Sequence, residues 1–132
     1  MNIAIVGATG NVGRKILEVF DKKNFMFDNL YLVASEKSVG KKISFRDKEY
    51  EVENLETYDF SKADITFFAA GGKVAEKYAE NAAKHTLVID NSSFFRMDPD
   101  VPLIVPQVNA GEIKNMKKNI IANPNCSTAQ LV

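Results

Sequence analysis

Cysteine is nearly missing from this chain: there is one among 132 residues, Cys126. A single thiol cannot close an intrachain disulfide, which excludes a disulfide-stapled scaffold and fits a reducing compartment. Net charge is missing too. Seventeen basic side chains balance seventeen acidic ones, so no overall field draws the chain to nucleic acid or to an anionic membrane. No apolar run nears the ~20 residues that span a bilayer. The opening MNIAIVGATG lacks the charged start and long apolar stretch of a signal peptide. Histidine occurs once, and no His/Cys cluster supports a metal site. These absences point to a cytoplasmic, soluble protein with neither nucleic acid nor membrane among its partners. The composition, 45% hydrophobic and 26% charged, is that of an ordinary globular domain long enough for a core.

What is there alternates between strand and helix signals. Ile3-Ala4-Ile5-Val6 is a short continuous apolar run of the kind buried on both faces of a sheet. Val12, Ile16, Leu17, Val19 and Phe20 follow at roughly helical spacing. Leu30 to Ala34 predicts a second strand, Lys42 to Val52 a small hairpin around Arg46-Asp47-Lys48, and Ile65 to Ala69 a third core strand. Lys73 to Lys84 reads as a helix with His85 as a solvated cap at its end. Leu87 to Ile89, Leu103 to Val105 and Ile120 to Ala122 complete six core strands. This rhythm predicts an α/β fold with a doubly wound, mostly parallel sheet of the Rossmann type. Ligands of such sheets sit beyond the carboxyl ends of the strands, so the loops after Val6, Ala34, Ala69, Ile89 and Ala122 are the candidate sites.

The first of these loops, Gly7-Ala8-Thr9-Gly10-Asn11-Val12-Gly13, has glycines at spacing three and three. Between a strand and a helix, that spacing permits a tight turn, backbone approach to a pyrophosphate, and close helix–strand packing. The loop after the second strand reads Ser35-Glu36-Lys37-Ser38. Ser35, Lys37 and Ser38 offer a cation and two hydroxyls to a 2′-phosphate, which favours NADP. Glu36 argues for NAD if it turns inward.

Cys126 follows Asn123-Pro124-Asn125 and precedes a stretch, Ser127 to Leu131, with the look of a helix start. A thiolate at a helix N-terminus is stabilised by free amides and the dipole, which raises its reactivity near neutral pH. The alternative, a small buried apolar cysteine, sits poorly with such polar neighbours. Asp90, Asp98 and Asp100 invite a metal reading, but Asp-Pro-Asp is more often turn chemistry.

Taken together, "VGATGNVG", "ASEKSVGKKISF", "FFAAGG", "VIDNSSFFRMDPDVPLIVPQVN" and "IIANPNCST" resemble the N-terminal part of the bacterial-type aspartate-β-semialdehyde dehydrogenases. The resemblance runs from Met1 to Val132 in order and spacing. It implies an enzyme that reduces L-aspartyl-4-phosphate to L-aspartate 4-semialdehyde with NADPH, in lysine, diaminopimelate, threonine and methionine biosynthesis. It makes Cys126 the acyl-thioester nucleophile and Asn125 its neighbour on the substrate. Arg96 becomes the ligand of the substrate's phosphate or of inorganic phosphate. The cofactor contacts it implies are Thr9, Gly10, Asn11, Val12, Lys37 and Ser38; the loops themselves add Gly7, Ser35 and Gly71 as candidate contacts.

There are departures from the family pattern. Lys37 stands where the family more usually has arginine, keeping the charge but losing the planar fork. Lys73 and Ala75 replace serines, and Gln107 replaces a glutamate. The resemblance further implies that residues 1–132 are the NADP-binding domain, cut just after the cysteine loop, and that a catalytic and dimerisation domain follows in a full-length homodimer. The piece alone is then expected to bind NADP without turnover, and to expose an apolar face that favours self-association. Two rival readings remain: a reductase for another acyl phosphate, such as N-acetyl-γ-glutamyl phosphate, and a non-catalytic NADP-binding sensor.

Overall fold

Which residues open onto the sheet's carboxyl edge depends on how the strands are ordered. In the computed structural model, which describes residues 1–104 and 110–123, eight strands and two α-helices follow one another. They are β1 (Asn2–Val6), α1 (Asn11–Lys22), β2 (Asn29–Ala34), β3 (Lys42–Phe45), β4 (Lys48–Glu51), β5 (Glu53–Asn54), β6 (Ile65–Phe68), α2 (Gly72–Ala82), β7 (Leu87–Asp90) and β8 (Ile120–Ala122). Six strands form one sheet in the order β5-β2-β1-β6-β7-β8, with every pairing parallel. The chain works outward from β1 through β2 to β5, then returns to the other side of β1 at β6. That reversal between β1 and β6 is where an open α/β sheet forms its ligand crevice.

The central strands are apolar throughout because each face of the sheet carries its own core. Ile3, Ile5 and Leu32 pack with Leu17 and Phe20 of α1. Ala4, Val6, Val33 and Phe68 pack with Ala75, Ala79 and Ala82 of α2. Alternate residues of β1 thus serve opposite layers, and all four from Ile3 to Val6 are fully buried. α2 approaches closely because its buried positions are alanines.

β3 and β4 form the antiparallel hairpin expected from the sequence. Its two-residue turn, Arg46-Asp47, has positive φ at both positions, the twist a tight hairpin needs. The Arg46 guanidinium then donates to the carbonyls of Phe20 and Phe25, each at 2.6 Å, and lies 4.9 Å from the Phe45 ring centroid. This ties the hairpin to the end of α1.

One expectation is corrected. The segment at Leu103 makes one isolated parallel bridge to Ala122 rather than a strand; Pro102, which has no N–H, precedes it, and Val105 lies outside the described residues. The edge beside β2 is formed by β5, two polar residues with no apolar alternation to announce them. Among the described residues, no helix is long and apolar enough to cross a membrane.

Candidate functional site

The glycine loop is shaped by what its neighbours forbid. Gly7 has φ of +88°, and a Cβ there would stand 2.7 Å from the Ala69 carbonyl oxygen. A Cβ on Gly13 would stand 2.3 Å from the Gly7 carbonyl oxygen, so α1 can rest on the loop only through a glycine. Gly10 is different. Its Cβ would meet nothing nearer than 3.5 Å, an ordinary contact. The fold leaves Gly10 free, and the space before it is open to a ligand.

That space is a cleft of about 380 Å³ lined by Val6, Gly7, Thr9 and Gly10, by Ala34, Ser35 and Leu55, and by Ala69, Ala70 and Val74. It lies across the carboxyl ends of β2, β1 and β6, at the reversal in strand order. α1 begins here with Gly10 at its N-cap, no side-chain cap and no acidic residue in its first turn. α2 begins after the next strand in the same condition, with Gly71 at its N-cap. Two uncapped helix starts on one edge offer amide donors and positive dipole to an anion. A dinucleotide's pyrophosphate fits this arrangement in charge and in size.

The loop after β2 closes the cleft's outer end. Glu36–Ser38 forms a short 3-10 turn, with the Ser38 amide donating to the Ser35 carbonyl at 2.9 Å. Thr9 Oγ1 and Ser38 Oγ lie 3.4 Å apart, so two loops predicted from separate motifs meet. Ser35 lines the cleft and also a second hollow of about 260 Å³ shared with Glu36, Lys73, Lys77 and Tyr78. Lys37 is exposed and makes no ion pair among the described residues. Asn11 and Val12 open α1. The Val12 side chain faces away from the cleft, into an apolar groove with Ile16, Val19, Phe20 and Phe67, so only its backbone is suited to the cofactor. Leu55 and Val74 were missed from the sequence, because an apolar wall carries no motif.

The second group of functional candidates lies two strands away, past β7. Asp90 ends that strand fully buried. Its carboxylate accepts the Ser92 N–H at 2.9 Å and the Ser92 hydroxyl at 2.7 Å. Arg96 follows in the same turn; its Nε donates to the Asn123 carbonyl at 2.7 Å and Nη2 to the Asn91 carbonyl at 3.1 Å. Nη1 has no hydrogen-bond partner among the described residues. Arg96 therefore bridges the ends of β7 and β8 through two carbonyls, and a guanidinium with a free edge has the chemistry to meet an anion. Asn125 and Cys126 lie outside the described residues; Cys126 is three residues beyond Asn123. Asp98 and Asp100 are engaged by Lys118 and Lys117 respectively. Among the described residues no His/Cys/Asp/Glu group could hold a metal.

Comparison with known proteins follows this geometry closely. Residues 2–116 match the family described as semialdehyde dehydrogenase, NAD binding domain. The chain is 53% identical to the aspartate-semialdehyde dehydrogenase of Aquifex aeolicus, over 98% of its own length and 39% of that relative's. Aspartate semialdehyde dehydrogenase II of Vibrio cholerae, solved in complex with ASA, superposes with a TM-score of 0.92 at 49% identity, covering 98% of this chain and 43% of that one. The Candida albicans enzyme, solved with NADP, superposes with a TM-score of 0.72 at 27% identity, covering 99% of this chain and 44% of that one. The chain thus spans about two-fifths of the length of the curated relatives it matches.

Proposed function

We propose, from the premise that this chain belongs to the semialdehyde dehydrogenase family through its NAD-binding domain, that it is the nucleotide-binding part of an NADP-dependent aspartate-semialdehyde dehydrogenase. The complete protein would carry a second, catalytic and dimerising domain and act as a cytoplasmic homodimer in the biosynthesis of lysine, threonine and methionine. Its partners would be a small acyl phosphate and inorganic phosphate. The observation that supports this reading is the Arg96 fork, which holds the carbonyl of Asn123 just upstream of the only cysteine while Nη1 has no hydrogen-bond partner among the described residues.

In this reading the amides at the start of α1, with Thr9 and Gly10, hold the pyrophosphate, and Ser35, Lys37 and Ser38 meet the 2′-phosphate. The thiolate of Cys126 attacks the acyl carbon. The C–S bond forms, the C–O bond to phosphorus breaks, and phosphate leaves toward Arg96, with Asn125 beside it. The nicotinamide cofactor, when bound, would supply the hydride to the thioester carbon; the C–S bond then breaks, releasing the aldehyde and returning the Cys126 thiolate. The residues described here bind and orient; Arg96 balances the leaving charge.

The test is phosphate-dependent NADP reduction by aspartate semialdehyde in the complete protein. Wild type should turn over, and Cys126→Ser should fall below about a hundredth of that rate while NADP still binds. A serine variant with more than a few per cent activity removes Cys126 as nucleophile. Preference for N-acetyl-glutamate semialdehyde changes the substrate and keeps the chemistry.

A further inference from the structure

A fully buried carboxylate is costly unless it is paired or hydrogen-bonded. Asp90 is such a group: it is 0% exposed and has no ion-pair partner within 4.0 Å among the described residues. Its two oxygens are both spent on one residue, the Ser92 amide and hydroxyl. The Ser92 hydroxyl, 8% exposed, in turn accepts the Phe94 N–H at 3.3 Å. The two side chains thus replace, bond by bond, the sheet ladder that ends at Asp90. The backbone is pinned on both flanks as well. Asn91 N–H donates to Phe68 O and Asn123 N–H to Asp90 O, each at 2.9 Å. From the turn so formed, Arg96 reaches Asn91 and Asn123.

We infer that Asp90 and Ser92 are positioning residues for the site proposed above: they hold the turn after β7 so that Arg96 fixes the chain leaving β8 toward Asn125 and Cys126. Neither touches substrate in this scheme. They act through Arg96, whose guanidinium can serve a phosphate only while its Nε side is locked on Asn123. Burial raises the Asp90 carboxyl above the usual carboxylate range, while the Ser92 bonds and the charge of Arg96 oppose that rise. The two Ser92 bonds use both carboxylate oxygens, which a single asparagine oxygen could not do in the same way.

The inference rests on the proposed function, and its test separates the two. In the complete protein, Ser92→Ala should lower kcat/KM for phosphate by about tenfold or more, with the NADP Kd within about twofold of wild type. Ser92→Thr, which keeps the hydroxyl, should recover to within about threefold. Asp90→Asn retains an acceptor for the Ser92 amide and supplies a milder variant should Ser92→Ala not fold; it should fall between the two. A residue that only supports the fold would lower the melting temperature and leave kcat/KM for phosphate unchanged per folded molecule. Wild-type kinetics in every folded variant, Asp90→Asn included, overturn the proposal. If the wild-type protein shows no phosphate-dependent dehydrogenase activity, the function fails instead, and positioning is judged by alkylation of Cys126 with iodoacetamide. Its rate should then change at least about threefold in Asp90→Asn; an unchanged rate overturns the proposal in that case too.

Discussion

The loops after β1 and after β7 both stand on the carboxyl edge of one sheet, yet they are shaped by opposite means. The first is shaped by the absence of side chains. Gly7 and Gly13 are required because the Ala69 and Gly7 carbonyl oxygens occupy the space a Cβ would take. The second is shaped by side chains, through the Asp90, Ser92 and Arg96 hydrogen bonds. A loop defined by steric exclusion offers bare backbone amides, suited to a pyrophosphate that any dinucleotide carries. A loop defined by hydrogen bonds offers an aimed charge, suited to one phosphoryl group at one reacting centre. In the proposed function, generic binding and specific chemistry are built from different materials on the same edge.

The sharpest way to break this comparison is inside the glycine loop. Gly13→Ala and Gly7→Ala should each lower stability by about 1–3 kcal/mol through overpacking and, at Gly7, left-handed strain. Gly10→Ala should cost no more than about 0.5 kcal/mol and yet weaken nucleotide binding, since its contact is reserved for the ligand. Urea unfolding and calorimetric titration of the three variants check this. A Gly10→Ala variant as unstable as Gly13→Ala would mean that the loop has no position set aside for a ligand.

The next effect separates the dinucleotide's common part from its distinguishing part. Lys37 is exposed and stands one residue before Ser38, which meets Thr9. Lys37→Ala should raise the NADP Kd about tenfold, or about 1.4 kcal/mol, and leave the NAD Kd nearly unchanged. Equal losses for both cofactors, measured by calorimetry, would assign Lys37 to the pyrophosphate or to neither.

How legible each loop was in the sequence follows from the same contrast. The glycine loop is local, seven residues whose spacing states their steric role, and the strand and helix around it read correctly. The meeting of Arg96 with Asn123 spans 27 residues and depends on β7 and β8 being neighbours, which no local pattern declares. Asp90 was visible only as one acid among three. Its partner, Ser92, follows by the two-residue spacing of an Asx turn, and that is the signal that could have found it. β5 was illegible because Glu53-Asn54 has no apolar alternation. The segment at Leu103 reads as a strand from its apolar triplet, yet among the described residues it makes a single bridge, to Ala122.

A smaller effect comes from two carboxylates in the stretch from β7 to Asp100, whose pH dependences should have opposite sign. Asp90 is raised by burial, so its contribution favours the folded state below its ordinary value and is lost as pH rises through the raised one. Asp98 is lowered by its bond to Lys118, so its contribution is present above the ordinary carboxylate value and is lost as pH falls through the lowered one. Relative to wild type, Asp90→Asn should therefore gain stability as pH rises from the acid range toward neutrality, while Asp98→Asn should lose it. Urea unfolding across that range gives both slopes; slopes of the same sign would contradict one of the two environments.

The smallest expected effect tests whether burying a polar group matters where no loop depends on it. Tyr58 is 8% exposed, packed edge-on against Phe60 and tilted toward Tyr31, and its hydroxyl has no hydrogen-bond partner among the described residues. Burial raises its ionisation well above the ordinary tyrosine value, so it stays neutral at any working pH. Asp90 is buried more deeply still, but both its oxygens are satisfied. An unsatisfied hydroxyl carries a desolvation penalty of about 1–3 kcal/mol, part of which phenylalanine should recover because the rings around it remain packed. Tyr58→Phe is therefore expected to be neutral or stabilising by up to about 1 kcal/mol, with no change in nucleotide affinity. Denaturant midpoints at constant slope would report the gain. A loss of stability would mean that the hydroxyl is bonded in solution, and the contrast with Asp90, a buried polar group kept for what it holds in place, would then lose its control.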